Sequence, residues 1–142
     1  MNIGIVGCGN ISETYFECQK IFNNFNIVAC ADINKEAASN AASKYNVKAL
    51  SVDEILDNKD IELIINLTIP AAHKEIITKS LFNGKHCFSE KPLAMNFAEG
   101  IEIEKLANEK GLYVGCAPDT FLGAAGQNLS LIHISEPTRL QQ

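Results

Sequence analysis

The stretch "GIVGCGNIS" (residues 4–12) decides how the whole chain reads. It follows the strand-like "NIGIV" (2–6) and opens the helical pattern "ISETYFECQKIF" (11–22), in which Ile11, Tyr15, Cys18 and Phe22 recur at helical spacing. Gly7, Gly9 and Ser12 occupy the three small-residue positions of G-x-G-x-x-G. In that pattern the first glycine permits a tight turn and the second lets backbone approach a pyrophosphate. A small third residue allows close helix–strand packing, and Ser12 weakens this part of the match because it adds a side chain there. The N–H groups that open the helix, around Asn10 and Ile11, would face the anion. Asp32 follows Ser12 by 20 positions, at the end of a second strand-like run, where a carboxylate can accept both ribose hydroxyls of adenosine. A tight turn beside a surface Asp is the plainer alternative, but strand, turn, helix and acid together point to a dinucleotide. The carboxylate repels a 2′-phosphate, so the expected cofactor is NAD rather than NADP, with Lys35 nearby as the one opposing charge.

Outward from this motif, β-rich runs alternate with helical ones. "NIVACA" (26–31) precedes the Ala-rich "NKEAASNAASKY" (34–45), and "VKAL" precedes "SVDEILDN" (51–58), where Ser51 and Glu54 have capping-box spacing. "IELIINLT" (61–68) is almost wholly apolar, as suits a strand covered on both faces. The helix "PAAHKEIITKSLFNG" (70–84), the strand "KHCFSE" (85–90), the helix "NFAEGIEIEKLANEKG" (96–111) and the strand "LYVGCA" (112–117) complete the series. The alternation predicts an α/β fold with a doubly wound parallel sheet of Rossmann type in a single domain.

Composition narrows the function classes. A formal net charge of −5 over 142 residues argues against nucleic acid and anionic membrane as partners. No signal segment precedes the first strand, and no apolar run approaches the ~20 residues that span a bilayer. The five cysteines (Cys8, Cys18, Cys30, Cys87, Cys116) form no C-x-x-C pair, and Cys30, Cys87 and Cys116 lie in or beside apolar strand-like runs. The chain reads as reduced and cytoplasmic. The three histidines are far apart, so no metal site is expected, and there is neither a nucleophile elbow nor a P-loop.

Two further stretches, "NLTIPAAH" (66–73) and "SEKPLAMN" (89–96), fall where open α/β sheets bind ligand, at the C-terminal ends of strands. Together with "GIVGCGNIS" and "VGCAPDTFLGAAGQ" they resemble the Gfo/Idh/MocA oxidoreductases over residues 1 to about 128, with E-K-P the most specific element. The resemblance implies that Lys91 lies near the nicotinamide ribose and the substrate hydroxyl and assists proton transfer, as the one catalytic residue of this chain. It implies that Glu90 lines the nicotinamide pocket and that Pro92 fixes the turn aiming Lys91. Thr68 matches the family's crevice Thr, and His73 the His of the following helix. The common T-P-N-x-x-H appears here as Thr68-Ile69-Pro70-Ala71-Ala72-His73, so the Asn contact is absent and the substrate type comes into question. His73 has two open readings, a cofactor contact or a hydrogen bond to a neighbouring loop. His86 and Cys87 read as structural. Asp119 either caps a helix or projects toward substrate.

The ending differs from the rest. The first 128 residues hold all fourteen Asn and eleven Lys but no Arg; the single Arg is Arg139. "LSLIHISEPTR" (129–139) resembles the translation of a transposon-end adapter used in sequencing-library preparation. The expected division is a dinucleotide-binding domain over 1–118, the start of a linker helix over 119–128, and a non-native tail over 129–142. Family members continue into an α+β domain that supplies most of the substrate pocket and the usual homo-oligomer surface, and the resemblance implies that this domain is missing. The implied parent enzyme moves a hydride between NAD and a hydroxyl-bearing carbon of a sugar, polyol or related small molecule, and the fragment itself is expected to be inactive. The rival readings are a non-catalytic NAD-binding sensor and an unrelated Rossmann reductase.

Overall fold

The structure, a computed structural model, describes residues 1–117. Asp119, the expected linker helix and the expected tail lie outside the described residues.

Six strands form one parallel sheet: β1 (Asn2–Val6), β2 (Asn26–Ala31), β3 (Lys48–Leu50), β4 (Leu63–Asn66), β5 (His86–Ser89) and β6 (Val114–Cys116). Their order across the sheet is β3-β2-β1-β4-β5-β6. Five helices connect them: α1 (Ser12–Cys18), α2 (Lys35–Tyr45), α3 (Val52–Asp57), α4 (Pro70–Phe82) and α5 (Phe97–Lys110). The order reverses at β1, so β2 and β4 flank it and their connections leave to opposite sides. This is the doubly wound arrangement, and it opens a crevice beyond the C-terminal ends of β1 and β4.

Side chains alternate across each strand, and the core accordingly has two halves. Ile3 and Ile5 of β1 pack with Phe16 of α1 and Ala42 of α2 on one face. There the Phe16 and Tyr45 rings stack 4.3 Å apart. Val6 packs with Ile55, Leu56, Ile76, Ile77, Leu81 and Ile103 on the other, beneath α3, α4 and α5. The central strands are covered on both sides, which is why β4 is apolar almost throughout.

Helix ends follow the local chemistry. Asn34 caps α2 through its side-chain oxygen, which accepts from Glu36 and Ala37 N–H. The expected capping box at α3 is present in full. Gly111 ends α5 in the left-handed conformation (φ 64°), which a glycine adopts without a Cβ clash. Several elements are shorter than their sequence patterns; β6, for one, keeps only Val114–Cys116 of "LYVGCA". α1 stops at Cys18 instead of running to Phe22; Lys20 and Ile21 donate three residues back, to Glu17 and Cys18 carbonyls, tightening the chain. Gln19 then accepts Ile27 N–H at 3.0 Å, which brings the turn back to β2. β4 ends at Asn66, although Leu67 N–H still reaches Val6 O at 2.7 Å.

Candidate functional site

The first turn of the crevice is shaped by close backbone approach. Gly7 has φ 102°, and a Cβ there would lie 2.6 Å from the carbonyl carbon and oxygen of Leu67. No other residue type fits between the β1 and β4 loops at this point. Gly9 differs: it is exposed, and a Cβ there would meet nothing within 4 Å. The space over Gly9 is open, as a cradle for a large anion requires. Ser12 does not obstruct the helix–strand contact. It is buried, and its hydroxyl donates to Gly9 O at 2.7 Å, so the side chain expected to weaken the helix–strand match ties down the glycine loop.

Asp32 stands beside this turn, half-buried at the end of β2. Its two oxygens accept from Cys8 N–H (2.7 Å) and Asn34 N–H (2.8 Å). The carboxylate is thus aimed by the glycine loop itself. With about four lone-pair sites, it keeps capacity for two ribose hydroxyls. Beneath the loop, contact with Cys30 and then burial push the Cys8 thiol above the ordinary thiol range.

A cleft of about 470 Å³ lies over these groups. Gly7, Gly9, Asp32 and Thr68 line it, with Ile33 and Val52 among its apolar walls. Asn10 and Ile11 are exposed just outside its lining, at the start of α1. The sequence reading missed Ile33 and Val52; an apolar residue directly after Asp32 is a signal for Ile33, and Val52 has none.

The β4 and β5 loops form the second part of the site. Thr68 donates its hydroxyl to Asn66 Oδ1 at 2.7 Å. Asn66 is fully buried and also donates from Nδ2 to His73 O at 3.3 Å. His73 is 1% exposed, with Nδ1 at 2.6 Å from Pro92 O and Nε2 at 2.9 Å from Thr68 O. Of its two open readings, the loop hydrogen bond is the one observed. Glu90 N–H donates to Asn66 O at 2.9 Å, and its carboxylate accepts the Tyr15 hydroxyl at 2.7 Å. Burial, and then the Glu90 carboxylate, hold the Tyr15 phenol above its ordinary range, so Tyr15 stays a hydrogen-bond donor. Lys91 is exposed on the loop between Glu90 and Pro92, and its bond to Pro92 is cis. Asn66 and Tyr15 are site residues that the sequence reading did not single out.

The structure therefore brings Gly7, Gly9, Asp32 and Thr68 together around one cleft. Glu90, Lys91 and His73 lie outside its lining, on the β5 loop and on α4. Among the described residues no group of three His, Cys, Asp or Glu gathers to hold a metal, and no helix is long and apolar enough to cross a membrane.

Comparison with known proteins agrees with this arrangement. The chain is 29% identical to an inositol 2-dehydrogenase of Serratia proteamaculans (strain 568), an alignment covering 99% of this chain and 44% of that protein. It is 32% identical to an inositol 2-dehydrogenase of Agrobacterium fabrum, over 70% of this chain and 31% of the other. The crystal structure of biliverdin reductase from Synechocystis sp. PCC 6803, in complex with biliverdin and NADP+, superposes with a TM-score of 0.84 at 27% identity. That match covers 92% of this chain and 43% of the reductase. The chain thus spans less than half the length of these relatives. The family model described as "Oxidoreductase family, NAD-binding Rossmann fold" matches residues 1–117, and the chain belongs to this family, GFO_IDH_MocA.

Proposed function

We propose that this chain is the NAD-binding part of a dehydrogenase acting on a sugar, polyol or related hydroxyl-bearing small molecule. The observation that carries the reading is the cleft at the sheet's switch point, where Gly7 and Gly9 face Asp32 and Thr68. The open space over Gly9 fits a pyrophosphate, with Asn10 and Ile11 N–H groups beside it. Asp32, held by Cys8 and Asn34 N–H, accepts the adenosine ribose hydroxyls and repels a 2′-phosphate, which favours NAD over NADP.

At the other end, Thr68, Glu90 and Lys91 take the nicotinamide side, with His73 behind them. Bound nicotinamide supplies the hydride acceptor or donor. The role of Lys91 is to polarise the substrate hydroxyl and ease its proton away, in concert with an acid or base from a second domain of the parent. Such chemistry needs the substrate held at about 3–3.5 Å, a hold that a second wall of the pocket would share. In the parent, the second domain would also carry the homo-oligomer contact. The reduced cysteines suit a cytoplasmic setting.

Calorimetry of the 142-residue chain with NAD and with NADP tests this reading. NAD is expected to bind at least about tenfold more tightly, and Asp32→Ala to narrow the gap. Equal affinity for both cofactors in the unaltered chain would overturn the NAD assignment.

A further inference from the structure

Lys91 sits between two backbone groups that are both pinned from β4 and α4. Immediately before it, Glu90 N–H donates to Asn66 O at 2.9 Å; immediately after it, Pro92 O lies 2.6 Å from His73 Nδ1. The other ring nitrogen of His73 is 2.9 Å from Thr68 O, on the loop that lines the cleft. The ring therefore spans the two loops, and Asn66 closes the circuit by donating to His73 O. A neutral imidazole can donate to only one of these carbonyls and an imidazolium to both; in either form the ring is the only side chain seen between them among the described residues.

From this geometry we propose that His73 is the positioning residue for the nicotinamide end of the site. It sets the Glu90–Lys91–Pro92 loop at a fixed height against the Thr68 loop, without touching the cofactor. The inference rests on the NAD-binding reading above. At 1% exposure the ring nitrogens of His73 need polar partners, and the partners they have are carbonyls of the two loops that flank the Lys91 side of the site. Removing it takes away the ring that lies between the Pro92 and Thr68 carbonyls, and the loop bearing Lys91 then loses that attachment on the Pro92 side.

The test uses the 142-residue chain and two ligands, NAD and ADP-ribose, which shares the adenosine and pyrophosphate but lacks nicotinamide. His73→Leu is expected to weaken NAD by about tenfold while ADP-ribose stays within about twofold. His73→Gln, which restores an N–H donor, should recover part of the loss. Equal weakening of both ligands, or no change for NAD, would overturn the positioning role. If the unaltered chain bound neither ligand, the NAD-binding reading itself would fall, a result distinct from either of those. Should His73→Leu not fold, ring-nitrogen NMR of the unaltered chain decides. NAD must shift the His73 ring resonances and ADP-ribose must not; resonances unmoved by NAD overturn the proposal.

Discussion

The loop after β1 and the loop after β5 both lie at the C-terminal edge of the sheet, but they are held in different ways. The first takes its shape from covalent geometry. Gly7 adopts a left-handed φ against Leu67, and the Cys8 and Ser12 hydrogen bonds join neighbours in the same turn or on the adjacent strand. The second also leans on partners from elsewhere in the chain. Glu90 and Pro92 are held by Asn66 and His73 of another connection, and Tyr15 reaches Glu90 from α1. A loop of the first kind fails when one Cβ is added. A loop of the second kind fails when a distant donor or acceptor is removed.

The sharpest break in this contrast comes from the two glycines. Gly7→Ala is expected to cost about 3 kcal/mol or more, because a left-handed φ and a backbone clash coincide. Gly9→Ala has open space and should leave the urea midpoint nearly unchanged, while NAD affinity in calorimetry falls by about tenfold or more. A chain that tolerated Gly7→Ala at full stability would show that the first loop is not held by covalent shape.

A smaller effect is expected at the second loop. Asn66→Leu conserves volume but removes the acceptor of the Thr68 hydroxyl and the donor to His73 O. The expected loss is about 2 kcal/mol by urea denaturation, the cost of leaving buried polar groups unpaired. A neutral result would mean that this loop, too, keeps its shape without help.

The smallest effect concerns the α3 cap, next to Val52 and Asp53 of the cleft lining. Ser51→Ala should cost about 1 kcal/mol. The Ser51 N–H and hydroxyl hold the Glu54 carboxyl below the ordinary glutamate value. The folded chain therefore resists protonation more than the unfolded chain does, so this contribution is complete above the ordinary glutamate pKa and is lost as pH falls through the folded one. The stability difference between the unaltered chain and Glu54→Gln should shrink on going from about pH 6 to about pH 3. A difference that does not change with pH would remove Glu54 from the cap.

These cases also mark how far the sequence could be read. The strand–helix order, the glycine turn, Asp32 and the capping box were legible because each depends on residues a few positions apart, or on a spacing imposed by one βαβ unit. Ser12 shows the limit even there. Its type suggested poorer packing, and only the position of Gly9 O turned its hydroxyl into support for the loop.

The sequence by itself determined which segments alternate, where the chain must turn on glycine, and which carboxylate stands beside that turn. Periodicity and φ preference are properties of a residue and its near neighbours, so they can be read without knowing the fold. Only the tertiary structure decided that Asn66 and His73 hold the Lys91 loop, that Tyr15 meets Glu90, and that Ile33 and Val52 wall the cleft. The physical reason is the nature of the partners. The groups that His73 meets are backbone carbonyls, which every residue carries, so nothing in the residue types at 68 or 92 announces the bond. It exists because β4 and β5 pair in register and place both loops within reach of one buried ring.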